Sequence, residues 1–181
     1  MRVRKTICLL LGLWLGASFL MLFVATQNFR AANEAVQNPP PAMAPYVKAI
    51  GQEGVRQLVR YQASESNRDF FEGWGAAQFL TALVVFLVIL FATSAGRFPI
   101  FLSLAILILV GVMQWVVNPQ IAAASRVLDF VPLNEMTAER MRMRSIHNIY
   151  STMEVIKLVM VGTLAAFFLF AGQRRPRAEL R

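Results

Sequence analysis

The chain has 181 residues, is 57% hydrophobic and carries a formal net charge of +8 at neutral pH. Soluble domains are about 45–50% apolar, and a chain of this length has no interior large enough to hide the surplus, so composition excludes an ordinary soluble globule. The mean hydropathy of +0.53 is concentrated in four runs, which points to an all-α integral membrane bundle.

The first run, 6–25 (TICLLLGLWLGASFLMLFVA), holds no charge and follows Arg2, Arg4 and Lys5. It is longer than the roughly 7–15 apolar residues of a secretory leader, so it reads as a retained span. Within it Gly12 and Gly16 offer the small-residue surface used for close helix packing. The runs 73–94 and 98–117 are also free of charge, and the fourth covers 149–172. Each supplies about the 20 residues that a helix rising ~1.5 Å per residue needs to cross a ~30 Å core. Backbone groups at that depth have no water to bond, so these segments must be helices. The expected architecture is one four-span domain with external loops at 26–72 and 118–146.

Both loops contain further helix. The first span runs on through Gln27 to Val36 and breaks at Asn38-Pro39-Pro40-Pro41, with another proline at Pro45; this spacing favours extended geometry. Val47, Ile50, Gly54, Leu58 and Tyr61 then recur at helical spacing, with Lys48, Gln52, Glu53, Arg56 and Arg60 on other faces. This is an amphipathic helix, expected to lie at the outer interface or to pack on the top of the bundle, with packing favoured. The third span likewise continues past Asn118-Pro119 to Arg126, Pro132 interrupts, and Thr137 onward rebuilds a helix into the fourth span. Two hairpins of similar plan suggest a 2+2 duplication with a site at the interface of the halves.

Basic residues set the orientation. With the N-terminus inside, the short inner segments hold Arg2, Arg4, Lys5, Arg97, Arg174, Arg175, Arg177 and Arg181 against the single acid Glu179, while the long outer loops nearly balance bases with acids. That density predicts a multi-pass inner (plasma) membrane protein with both termini cytoplasmic. The arginines then serve as topology signals and anionic-lipid contacts, and no motif points to nucleic acid.

The fourth span is the one that carries charge. Glu154 and Lys157 lie inside it, and an ionisable group at that depth survives only with a partner or a watered cavity. His147, Tyr150, Ser151, Glu154 and Leu158 share one helical face, and Lys157 is placed i+3 from Glu154. Gln78 and Thr81 on the second span and Gln114 on the third are expected partners across the bundle, while Asp69 and Glu72 sit at the outer end of the second. Two readings stand: an outward-opening polar seam that forms a pocket or proton path, and a buried pair acting as interhelical glue.

His147 is the only histidine. With Met141 and Met143 it makes a soft metal-ligand set suited to Cu(I), opposed by Arg140, Arg142 and Arg144. Haem would need a His/Met pair or sharing between two copies. Cys8 is the only cysteine and lies within the first span, where an apolar thiol is expected. No nucleophile elbow, phosphate loop or metalloprotease motif is present, so no enzymatic activity is expected.

Leu13-Trp14-Leu15-Gly16, Val117-Asn118-Pro119-Gln120-Ile121 and Ile146-His147-Asn148-Ile149-Tyr150-Ser151 resemble elements of the four-helix membrane family to which human transmembrane protein 205 belongs. The chain departs from that pattern at Asn148, where the family has Gly, and at Ala25-Thr26, where it tends to Ala-Pro. The resemblance implies a four-helix bundle and a link to copper-resistance membrane proteins. The leading functional expectation is a small accessory or binding protein of the membrane, associated with a second copy or a membrane-complex partner. A metal- or ion-handling protein and a haem-bearing electron-transfer subunit are the alternatives.

Overall fold

A computed structural model describes residues 2–132 and 135–170. The end of the fourth span at 171–172 and the basic segment 173–181 lie outside the described residues. The protein is all-α. Helix α1 (Arg2–Gln37) passes through a short 3-10 turn (Pro41–Met43) into α2 (Ala44–Ala92); α3 (Arg97–Val112) continues through a π-helical segment (Met113–Val117) into α4 (Asn118–Val127), and α5 (Ala138–Phe170) closes the chain. Four of these rods are long and apolar enough to cross a bilayer, and only 22% to 28% of each rod's most apolar window is buried. An apolar belt left that open is far larger than water tolerates and suits lipid.

The helices begin and end where the chemistry requires. Pro39 and Pro40 carry no N–H and stop α1 after Gln37; Asn38 still donates back to the Glu34 carbonyl at 2.8 Å. Gly51 adopts φ 77° and breaks α2 near its start, a left-handed conformation that suits glycine. From Gln52 onward α2 is continuous with its span. The amphipathic segment is therefore an extension of the same helix that carries the apolar run 73–94. Its packing face is not the expected one: Val55, Ala63 and Asn67 are buried, whereas Ile50, Leu58 and Tyr61 are exposed. The reason is the neighbour, because α1 extends equally far and offers Ala32 and Val36 to that side.

The π segment has a local cause. Pro119 has no N–H, and its ring crowds the carbonyl one turn earlier; the turn widens, so that Asn118 N–H reaches Met113 O. Thr137 caps α5, its hydroxyl accepting from Arg140 N–H at 3.2 Å, as its position just before the helix predicts. At the other end, Arg4 donates through Nε to Phe168 O and through a terminal nitrogen to Leu169 O at 2.7 Å. Those contacts place the start of α1 beside the end of α5 and satisfy carbonyls that a helix C-terminus leaves open.

The helices form a ring in which α1 touches α2 and α5, and α3 touches α2 and α5; among the described residues the diagonal pairs α1–α3 and α2–α5 make no close backbone approach. Ile7, Leu11 and Trp14 of α1 fill the centre with Val85 and Ile89 of α2, Ile106 and Val110 of α3, and Val161, Leu164 and Phe168 of α5. A smaller cluster above it joins Met113, Val117 and Tyr150, with Phe71 edge-on to the Tyr150 ring at 5.9 Å. Gly12 and Gly16 are exposed and meet no atom within 4 Å of an added Cβ. The close packing expected of them does not occur among the described residues, because Ile7, Leu11, Trp14 and Ser18 supply the inward stripe.

One glycine does carry a close approach. A Cβ on Gly75 of α2 would lie 1.6 Å from Gln114 Oε1, 2.7 Å from its Cδ and 3.0 Å from Asn118 Nδ2. Gln114 must swing away if that Cβ is added, giving up its bond from Asn118 at 3.0 Å and its own weak donation to Glu72 O at 3.4 Å. Gly75→Ala is therefore expected to cost about 1–2 kcal/mol, measured by denaturant unfolding in bicelles. A variant as stable as the parent would show that Gln114 relocates freely.

Candidate functional site

The charged pair of the fourth span forms a four-residue polar set across the bundle. Lys157 is fully buried and points inward with Val161, Leu164 and Phe168. Its ammonium donates to Glu154 Oε1 at 2.5 Å, one turn back on α5, and to Gln78 Oε1 on α2. The same Gln78 oxygen accepts from Trp14 Nε1 at 3.3 Å, and the ammonium lies 5.9 Å from the centre of the Trp14 ring. Three helices are thus tied at one level. The α5–α2 link crosses the diagonal of the ring, where the backbones themselves stay apart.

Each partner satisfies a physical need. An ammonium removed from water requires compensating acceptors, and it has a carboxylate, an amide oxygen and the negative face of an indole. Gln78 accepts two donors on the two lone pairs of one oxygen. Glu154 keeps 22% of its side chain accessible, while its Oε2 is buried and accepts no hydrogen bond among the described residues. Chemically the set can hold a proton or a positive charge.

The expected seam divides around this core. Tyr150 is buried, but His147 and Ser151 are exposed, and the Ser151 hydroxyl donates to His147 O on its own helix at 2.9 Å. The inward stripe of α5 runs Tyr150, Lys157, Val161, Leu164 and Phe168, offset from the face that His147 and Ser151 define. Gln114 bonds to Asn118 near Gly75 and not to the Lys157 set. Thr81 donates to Ala77 O within α2 at 2.8 Å. Asp69 and Glu72 are exposed, and so is Met141; Met143 lines a cleft with Arg140, while His147 and Met141 do not. Among the described residues no group of three His, Cys, Asp or Glu side chains could hold a metal.

A second polar cluster, absent from the sequence reading, joins the α2 extension to the end of α4. Arg68 is bidentate to Asp129, at 3.3 and 2.9 Å, and donates to Ser125 at 3.1 Å and to Glu65 through Nε at 2.7 Å. Its side chain is 8% exposed and that of Asp129 is 12% exposed. Burial works against the Arg68 charge, yet the hydrogen bonds it donates to Asp129 and Glu65 outweigh that and raise the guanidinium above its usual value. The bond from Arg68 in turn holds the Glu65 carboxyl below the usual carboxylate range.

Above this cluster is a cleft of about 230 Å³ between α1, α2, the α4–α5 connection and α5, lined by Phe29, Arg56, Arg60, Tyr61, Phe130 and Arg140, among others. Tyr61 stacks on Phe130 with ring centres 5.2 Å apart. Phe130 holds φ 68°, a strained conformation for an aromatic residue. Arg60 lies over the Phe29 ring at 5.7 Å and donates to Asn33 at 3.1 Å. Burial first, then the charges of Arg140 and Arg56, hold the Arg60 guanidinium below its usual value.

The sequence did hold signals for the residues it left unread. Trp14 sits on the Ile7-Leu11-Trp14-Ser18 stripe, and Glu65 precedes Arg68 by one turn. Asp129 carried no local signal, because its partner is 61 residues away. Comparison with protein families, with curated proteins and with solved structures finds no match.

Proposed function

We propose that the protein is a non-catalytic accessory protein of the inner (plasma) membrane, with both termini cytoplasmic, that docks a second chain on its outer helical arm. The observation that carries this reading is the apolar surface left open on both sides of the Gly51 break: Tyr46 is 66% exposed and Ile50 51% before it, and Leu58 is 52% exposed after it. Leu58 stands 15 residues before Gly73, where the span begins, which puts it about 22 Å beyond the hydrocarbon edge. The headgroup layer is only about 5–8 Å thick, so lipid does not cover this face, and an uncovered apolar face marks an interaction site. On this reading the Lys157 set is the structural lock that holds the arm's two helices to α5. The partner is a membrane-complex chain or a second copy.

A photo-crosslinking residue at position 58, introduced in cells, tests the reading. The expected result is one discrete protein adduct, absent when the same residue replaces the lipid-facing Leu80. No adduct, together with a Soret band or a stoichiometric metal in the natively purified chain, would replace this reading with the haem or metal-handling one.

A further inference from the structure

The cleft at the outer end is walled by three arginines, Arg56, Arg60 and Arg140, and two carboxylates, Glu53 and Asp129. Both carboxylates are already engaged. Asp129 is held bidentately by Arg68, and Glu53 is paired at 2.8 Å with Arg56 on the same helix. Arg60 and Arg140 have no carboxylate within ion-pair distance among the described residues. Their known bonds go to neutral oxygens: Arg60 to the Asn33 amide, Arg140 to the carbonyls of Glu135 and Pro132 at 2.8 and 3.0 Å. A guanidinium has five N–H donors, so both side chains, which line the cleft, keep donors with no protein partner among the described residues.

Like charges brought together and partly removed from water repel, and a bound anion would relieve that repulsion. The two guanidiniums are also pre-set. Arg60 is held by Asn33 and the Phe29 ring, and Arg140 by the carbonyls of Pro132 and Glu135, so less rotamer freedom remains to be lost on binding. We propose that this cleft binds a small phosphate-bearing anion between the guanidiniums of Arg60 and Arg140, with Arg56 at its rim and the Tyr61–Phe130 stack against its organic part.

Size and place narrow the ligand. A volume of about 230 Å³ falls below the roughly 300–1,000 Å³ of sites for drug-sized molecules, which suits inorganic phosphate or a small phosphomonoester. Guanidinium forks match phosphate oxygens in pairs. Arg60 lies 13 residues before Gly73 and Arg140 nine before Ile149, or about 20 and 14 Å beyond the hydrocarbon edge. That is past the ~5–8 Å headgroup layer, so the anion arrives from the aqueous phase. The proposal goes beyond partner docking at Leu58 and needs no partner chain.

The test is isothermal titration of inorganic phosphate, and separately of glycerol 3-phosphate, into the full chain in phosphatidylcholine nanodiscs at fixed ionic strength. Saturable one-site binding is expected, weakened at least about tenfold by Arg60→Gln and by Arg140→Gln, as loss of one charge-assisted contact implies. Arg60→Lys keeps the charge and loses the fork, and is expected to weaken binding as well. Glu53→Gln, which frees Arg56 without touching the core, is expected to tighten it. Repeating the titration in phosphatidylglycerol nanodiscs separates the sources: unchanged binding assigns an aqueous anion, and lost heat assigns a lipid headgroup already seated in the cleft. No saturable binding in either lipid overturns the proposal, and so does binding indifferent to both Arg60 variants in chains that melt like the parent.

Discussion

Lys157→Ala is expected to lower bundle stability by about 3–5 kcal/mol, the loss typical when one member of a buried ion pair is removed. Steric-trap or detergent-titration unfolding in bicelles measures it. The magnitude follows from what is left behind. Glu154 would keep Oε1 without its ammonium and Oε2 without a donor, and Gln78 would retain only the 3.3 Å bond from Trp14. Glu154→Leu alone should also destabilise, since it strands a fully buried ammonium on one amide oxygen and an indole face. The double change Lys157→Met with Glu154→Leu removes both charges and keeps volume, and it should recover most of the loss. Recovery of stability with the outer arm still able to dock would assign the pair to holding helices together. A double variant that folds but loses docking would move the pair into the functional machinery.

Arg68→Leu is the second large effect, about 2–4 kcal/mol, smaller because Glu65 and Asp129 keep some access to water. Here the damage is local. Asp129 loses a bidentate partner and Ser125 a donor, so amide hydrogen exchange should quicken in 118–132 while α3 stays protected. Acid should reproduce a small part of this, because protonating Glu65 weakens its contact with Arg126 at 3.5 Å and leaves the Arg68–Asp129 pair in place. Glu65 is held below its ordinary value of 4.5, chiefly by the Arg68 bond. Such a carboxylate contributes stability that is whole above 4.5 and is lost as pH falls through the lower folded value. Exchange in 118–132 of the parent chain should therefore rise below about pH 4.5, and Arg68→Leu should flatten that dependence. A steep acid response surviving in the variant would place the titrating group elsewhere.

The fold was largely legible because bilayer chemistry leaves few choices. Runs of about 20 uncharged apolar residues must be helices, and the prolines at 39 and 40 and the cap at Thr137 fixed where the outer helices stop and start. The faces were harder. The stripe Val47-Ile50-Leu58-Tyr61 has helical spacing, yet α1 packs on Val55 and Ala63, because apolarity alone does not say which side a neighbour occupies. The same limit divided the α5 seam. His147 and Ser151 share a face with Glu154, while the ammonium on a flexible four-carbon stem set which side of α5 turns inward. Lys157 and Gln78 were legible as polar residues in lipid. Trp14 was read only as a motif residue, and the Arg68–Asp129 pair was hidden by sequence distance.

The link from α5 across the ring to α2 also bears on biogenesis. Charged groups at a helix centre each add about 2.5–3.5 kcal/mol to the cost of entering the membrane, and α5 has the least hydrophobic window of the four, with mean hydropathy 2.0 against 2.4 to 2.6. α5 is thus the span that gains most from meeting partners for its charges in the membrane. Gln78 and Trp14 belong to helices that leave the ribosome first, so the acceptors for the Lys157 ammonium are synthesised before it. If the helices enter the membrane in chain order, the last one meets acceptors already in place, and removing α1 and α2 is expected to lower the insertion of α5.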